Sequence, residues 1–223
     1  MKTVRKFSIN SNFNIGLFAF ATDSFCLVGS DILDKDVETL HETLKVPIHR
    51  ITIAGTPLLG VFVVGNSKTI LIPEITYPEE RHELDRLGIN YEVIKSNLTA
   101  LGNNIVCNDH GAIVNPEFKD HEVEEIASAL GVKVVRGTVE DLETVGALCY
   151  ANGKGCIASK HIKNSESDII SSTLKVPVYT GTVNLGNNYI HSGVVANSHG
   201  LLVGSVSGGV EITDIADALS EQK

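Results

Sequence analysis

A phrase built on leucine returns along this chain at an almost constant step. "LKVP" at Leu44, "LGIN" at Leu87, "LGVK" at Leu130 and "LKVP" at Leu174 are separated by 43, 43 and 44 residues, and Leu219 follows 45 later. Pairs of turn-forming residues at Asp23, Asn66, Asp109, Asn152 and Asn197 step by 43, 43, 43 and 45 residues. A third series, Gly16, Gly60, Gly102, Gly146 and Gly186, precedes those turns. Three landmarks repeating in one phase define an internal repeat, and a repeat constrains the architecture more than any other feature.

Each unit reads strand, turn, strand, helix, strand. "LGNNIVCNDHGAIVNPEF" (101–118) and "VGALCYANGKGCIASKHI" (145–162) show the hairpin clearly. Asn, Asp and Gly at the tips are the residues that tolerate the positive φ of a two-residue hairpin turn. In three units an apolar stripe marks the helix, Val37/Leu40/Leu44, Val123/Ile126/Leu130 and Ile212/Ile215/Leu219. Leu84 and Ile169/Ile170 fall out of phase in the other two. Asp120 and Ser165 stand where N-caps are expected, and Pro78 lies early in the second helix.

A short strand follows each helix except the last, as in "VPIHRITIAG" and "VPVYTGTVNL". The N-terminal "VRKFSIN" (4–10) supplies the missing piece, since Ile9 to Ile53 and Gly16 to Gly60 are both 44 residues apart. A unit shared between the two chain ends closes a ring and leaves few exposed strand edges. The expected fold is a single α/β domain over residues 1–223, built from five ββαβ repeats of 43–45 residues with pseudo-fivefold symmetry. Strands should face the axis and helices the outside.

Composition narrows the function. Apolar residues are 43% and charged residues 20%, an ordinary globular balance, with no Trp and 5% aromatics, so Ile, Val and Leu must fill the core. No run approaches the ~20 apolar residues of a membrane span, and "MKTVRKFSIN" has no apolar stretch behind its basic residues. A cytosolic chain with four reduced thiols, Cys26, Cys107, Cys149 and Cys156, is expected. The net charge of −9 opposes broad contact with a phosphate backbone, and no DNA or membrane partner is expected.

The segments "LGNNIVCNDHGAIVNPEF", "VPIHRITIAG", "VPVYTGTVNLGNN" and "GNSKTILIPE" closely resemble, in order and spacing, those of the archaeal and eukaryotic translation initiation factor six family. The resemblance implies a pentein ring and a cytosolic, monomeric, non-enzymatic ribosome anti-association factor. It implies binding to the intersubunit face of the large ribosomal subunit, chiefly to ribosomal protein L14 near the sarcin-ricin loop of the rRNA. Bound there, the protein would block the small subunit, and it would belong to late large-subunit maturation. The family's ribosome-facing surface maps onto Asn14, Gly16, Leu58, Gly60, Val61, Gly102, Asn103, Gly146, Leu148, Asn188 and Tyr189. The repeat separately predicts that equivalent turns share one rim. Eukaryotic relatives carry basic residues where Val61 and Ser67 stand, and they extend past the last helix, so the match is to the archaeal form.

The rival reading is a pentein enzyme that attacks a guanidinium with a cysteine. Such enzymes place the nucleophile near the C-terminus, whereas no cysteine follows Cys156, although His161, His191 and His199 do. Cys107 and Cys149 lie in apolar strands and read as buried thiols. No histidine spacing suggests a metal site, and "GNSKT" and "ANGKG" lack the first glycine of a phosphate loop. No cofactor is expected. A bare scaffold whose rim binds another protein is the remaining alternative.

Overall fold

The computed structural model describes residues 3–220; the outermost residues of the expected 1–223 domain, 1–2 and 221–223, lie outside this range. Five three-stranded sheets follow one plan. Within each, two strands form an antiparallel hairpin, and a third strand, entered through a helix, lies parallel to the second. Blade 1 joins Ala19–Ala21, Cys26–Gly29 and Ile48–Ile51, with the helix Asp34–Leu44 between its last two strands. Blades 2 to 4 repeat this around the helices Pro78–Arg86, Asp120–Leu130 and Asn164–Leu174.

Blade 5 has the helix Gly209–Leu219, and its third strand comes from the other end of the chain. Thr3–Phe7 runs parallel to Gly200–Gly204, with Thr3 opposite Gly200 and Phe7 opposite Gly204. The predicted sharing of a unit between chain ends is therefore present.

First hairpin strands surround the axis. Ala19–Ala21, Val64–Gly65, Ile105–Cys107 and Cys149–Ala151 line one axial cavity of about 80 Å³. Helices pack outside, seated by Leu40, Leu84, Ile126, Ile170 and Ile215, each no more than 1% exposed. The phase problem of the second and fourth helices resolves here, because Leu84 and Ile170 point inward and Ile169 outward.

The hairpin tips differ from the expectation. No tip residue has positive φ. In four of the five an asparagine instead caps the loop with its own side chain: Asn66 Oδ1 accepts from the N–H groups of Lys68 (3.0 Å) and Thr69 (3.3 Å), and Asn108, Asn152 and Asn197 do the same. Each amide then donates to the last carbonyl of the neighbouring blade's helix: Asn66 to Leu130, Asn108 to Leu174, Asn152 to Leu219 and Asn197 to Leu44, at 2.8–3.0 Å. Two of the three series seen in the sequence are thus the two ends of one interblade bond. In blade 1 the tip position is Thr22, whose hydroxyl accepts from Ser24 and Phe25 but has no amide to extend. The equivalent positions are Thr22, Asn66, Asn108, Asn152 and Asn197, so Asp23 and Asp109 stand one residue beyond. Their carboxylates accept from Ser198 N (2.7 Å) and Ser67 N (2.8 Å), stitching adjacent tips.

Left-handed pairs lie at the opposite end of the blades, at Asn10–Ser11, Ala54–Gly55, Glu140–Asp141 and Asn184–Leu185. A buried acid at the third position of the following helix holds each. Glu80 accepts from Thr52 Oγ1 (2.6 Å), Ala54 N (2.8 Å), Gly55 N (2.9 Å) and Tyr77 N (2.9 Å). Glu166 and Glu211 bind their own turns with the same four kinds of donor, and Asp36 accepts from Asn10 N at 2.9 Å. Glu122, with no such turn before it, caps only Lys119 N (2.6 Å). The four glutamates also cap their helices, whereas in blade 1 Asn10 Oδ1 accepts from Leu33 N (3.2 Å). Asp120 and Ser165, expected as N-caps, fall one and two residues inside, after Lys119 and Lys163.

Candidate docking face

Just before each hairpin the chain makes one tight helical turn: Ile15–Leu17, Leu59–Phe62, Leu101–Asn104, Val145–Leu148 and Ile190–Gly193. The first residue of each, Ile15, Leu59, Leu101, Val145 or Ile190, is fully buried and anchors the turn. Each turn touches the next, and the fifth touches the first, so the five form a closed circle on one side of the molecule.

Glycine makes this circle possible. A Cβ added to Gly60, Gly102, Gly146 or Gly16 would stand 1.7–2.3 Å from the carbonyl oxygen of Gly16, Gly60, Gly102 or His191 respectively. Side chains do not approach backbone oxygen so closely, and only glycine lets neighbouring turns nest. The fifth member of the series is His191. Gly186, assigned to it from spacing, lies in the preceding loop at φ +92° with open space around it.

Ten residues enclose a shallow central depression of about 480 Å³ on this side, among them Asn14, Gly60, Asn103, Ala147, Tyr189 and His191. No charged side chain lines it. Of the residues predicted from the resemblance, Asn14, Leu58, Val61, Asn103 and Asn188 are half-buried and Tyr189 is exposed, all within or beside the five turns. Gly16, Gly60, Gly102 and Gly146 are buried and shape the surface from beneath. Leu148 differs: it is 1% exposed in the core of blades 3 and 4, and Ala147 holds the surface position equivalent to Val61 and Asn103. Leu17, Ala147 and His191 belong to the face and were missed. Counting from the glycines finds all three.

Behind the depression, His191 and Tyr150 fill the axis edge to face, with ring centroids 5.8 Å apart. Tyr150 Oη accepts from Ala196 N and donates to Ala196 O, both at 2.9 Å, tying blade 4 to blade 5. Burial pushes the Tyr150 hydroxyl pKa well up.

The thiols lie in the core, with Cys107 and Cys149 bordering the axial cavity. All four are buried and free. Burial raises Cys26 and pushes Cys107 up to about 12; Cys149 is raised by its hydrogen bond with Cys156 and by burial. Such thiols resist forming the nucleophilic thiolate. Among the described residues no group of three His, Cys, Asp or Glu side chains could hold a metal ion, and no helix is long and apolar enough to cross a membrane.

A ring of five ββαβ blades sealed by its own ends is a pentein. Solved structures agree on the fold: a dimethylarginine dimethylaminohydrolase adduct with S-methyl-L-thiocitrulline superposes with a TM-score of 0.52 at 16% identity, covering 74% of this chain and 67% of that one. The Pseudomonas aeruginosa enzyme complexed with citrulline gives 0.51 at 15% identity, with the same coverage. Sequence is more specific. The eIF-6 family model matches residues 4–218, and the chain belongs to that family. Proteins named Translation initiation factor 6 share 42% identity in Aeropyrum pernix, over 97% of this chain and 95% of that protein, and 40% in Pyrococcus furiosus, over 97% and 98%. The Pyrococcus horikoshii protein of the same name is 34% identical over 92% of this chain and 93% of its own length.

Proposed function

We propose that this chain docks through its circle of short turns onto the intersubunit side of the large ribosomal subunit, chiefly against ribosomal protein L14 near the sarcin-ricin loop, and excludes the small subunit by its bulk. It does so in the cytosol as a monomer, one domain with no covalent step, in translation initiation and in large-subunit maturation. The observation that carries this reading is the gathering of five equivalent turns on one side, giving a broad face with a central depression. A face of that shape suits a protein partner, with a few central residues supplying most of the affinity. The absence of charged lining and the net charge of −9 favour protein over phosphate as the main contact. The raised thiols speak against the guanidinium-attacking alternative.

Mixing purified subunits with and without the protein and sedimenting them through sucrose tests the proposal. The expected result is co-sedimentation with the large subunit and loss of the 70S peak. An unchanged 70S peak with the protein left at the top of the gradient refutes it.

A further inference from the structure

Four joints between the short turns are made by glycine backbone, and the fifth is made by a side chain. His191 Nδ1 lies 3.0 Å from the carbonyl oxygen of Gly146, so this nitrogen carries a proton and donates it. The Gly102 carbonyl also faces the imidazole. The ring borders both the docking-face depression and the axial cavity, and so separates them.

Its surroundings hold no counter-charge. The other four short turns contain no ionisable residue. The titratable groups facing the ring are Tyr189 in the depression and Cys107, Cys149 and Tyr150 along the axis, with Cys156 behind Cys149. No carboxylate, ammonium or guanidinium lines either space.

We propose that His191 is a positioning residue of the docking face, a joint that holds the fourth and fifth short turns together while its ring is neutral and loosens when the ring is protonated. Burial pushes this imidazole below its ordinary range, with the Gly146 and Gly102 carbonyls opposing, so the ring is neutral at pH 7 and gains a proton only in more acidic solution. The proton brings a net charge into a space where two carbonyl oxygens but no carboxylate face it, and the ring gains hydration by moving outward into the depression. That motion breaks the bond to Gly146 and disturbs Ala147 and Tyr189, which border the same depression. The consequence for docking rests on the function proposed above; the loosening itself does not.

Free protein and complex test the two parts separately. In the free chain, the His191 ring is titrated by NMR while amide-exchange protection is followed at 145–149 and 189–193. Protection in both segments should fall about tenfold as the ring protonates on acidification below pH 7, and remain level in His191→Asn, whose amide donates without titrating. Protection that ignores the titration in the wild type, or follows pH equally in the variant, overturns the joint; the wild-type titration decides even if the variant does not fold. Large-subunit co-sedimentation over the same range should show about tenfold weaker binding in acid for the wild type and a much smaller change for His191→Asn. Equal slopes overturn the positioning role. Absence of binding by both proteins at every pH refutes the docking reading and the positioning role with it, while the loosening remains decided by the free chain.

Discussion

The carbonyl oxygen of Gly16 occupies the space that a side chain on Gly60 would need, 1.7 Å from the missing Cβ. Gly60 is buried and the obstacle is backbone, so no rotamer change relieves the clash. Gly60→Ala should therefore push blades 1 and 2 apart and cost roughly 3 kcal/mol, the upper end for overpacking. Thermal unfolding checks this. A melting temperature within a degree or two of wild type would mean that the turns do not nest as described.

Closure of the ring depends on a few polar bonds. The amide of Asn197 donates to Leu44 O (2.8 Å) and Thr22 O (3.1 Å), joining blade 5 to blade 1 across the chain ends. Asn197→Ala loses both bonds and the cap of its own hairpin, leaving buried carbonyls unpaired. A loss of about 2–3 kcal/mol is expected. Amide exchange should quicken first along Thr3–Phe7, the strand that this seam retains. Uniform quickening over all five blades would show that the seam is no weaker than the other joints.

The buried glutamates make stability depend on acid. Burial raises the carboxyls of Glu166 and Glu211, but hydrogen bonds from Thr138 and three backbone N–H groups, and from Thr182 and three others, outweigh it and leave both below the usual range. A depressed carboxyl stabilises fully above the pH where the unfolded chain titrates, about 4.3, and that stabilisation is lost as pH falls through the native value. Glu166→Gln should cost about 2 kcal/mol at neutral pH, with the gap to wild type closing below about pH 4. Denaturant midpoints across pH measure both. A gap that persists unchanged in strong acid would remove the carboxylate from the account.

Much of this fold was legible because the repeat fixes blade number, and the shared unit fixes closure. What misled was phase. The tips (Thr22, Asn66, Asn108, Asn152, Asn197), the nesting series (Gly16, Gly60, Gly102, Gly146, His191) and the buried acids (Asp36, Glu80, Glu122, Glu166, Glu211) all step by 44, 42, 44 and 45 residues. Matching by residue type alone put Asp23 and Asp109 in the first series, because Asp is as good a turn former as Asn. It put Gly186 in the second, because nothing about a histidine suggests a nesting position. Nothing in the sequence marks the acids, since a carboxylate is normally exposed and only the unusual donor set around it shows otherwise. At the candidate docking face, spacing locates the turns but not their facing; Leu148 came from the resemblance, and one step on from Gly146 stands Ala147, which holds the surface position.

Asn103 is half-buried on the rim of the central depression, at the surface position shared with Val61 and Ala147. An arginine there adds bulk and charge to a depression lined by no carboxylate, ammonium or guanidinium, at a site where the side chain can extend into solvent. Asn103→Arg should weaken large-subunit binding by tenfold or more, about 1.4 kcal/mol, and shift unfolding by less than about 0.5 kcal/mol. Co-sedimentation and thermal melts on one preparation separate the two effects, and a matching loss of stability would make the position structural.

Leu185 is 77% exposed and sits at φ +67°, in the left-handed region, at the turn before Tyr189. A leucine is unfavourable there twice, for the apolar surface it leaves in water and for its Cβ, which crowds the backbone by about 1 kcal/mol or more. Glu211 holds the turn in place by accepting from Leu185 N (3.3 Å) and Gly186 N (2.8 Å), so the strain is imposed by the fold. A residue retained at such cost on this side of the ring fits an apolar contact made on docking. Leu185→Asn, which tolerates this φ, should raise stability by about 0.5–1 kcal/mol while weakening large-subunit binding. If the variant is stabilised and binds as tightly as wild type, the leucine lies outside the contact; if it is destabilised, the turn is not strained in the way its backbone angle indicates.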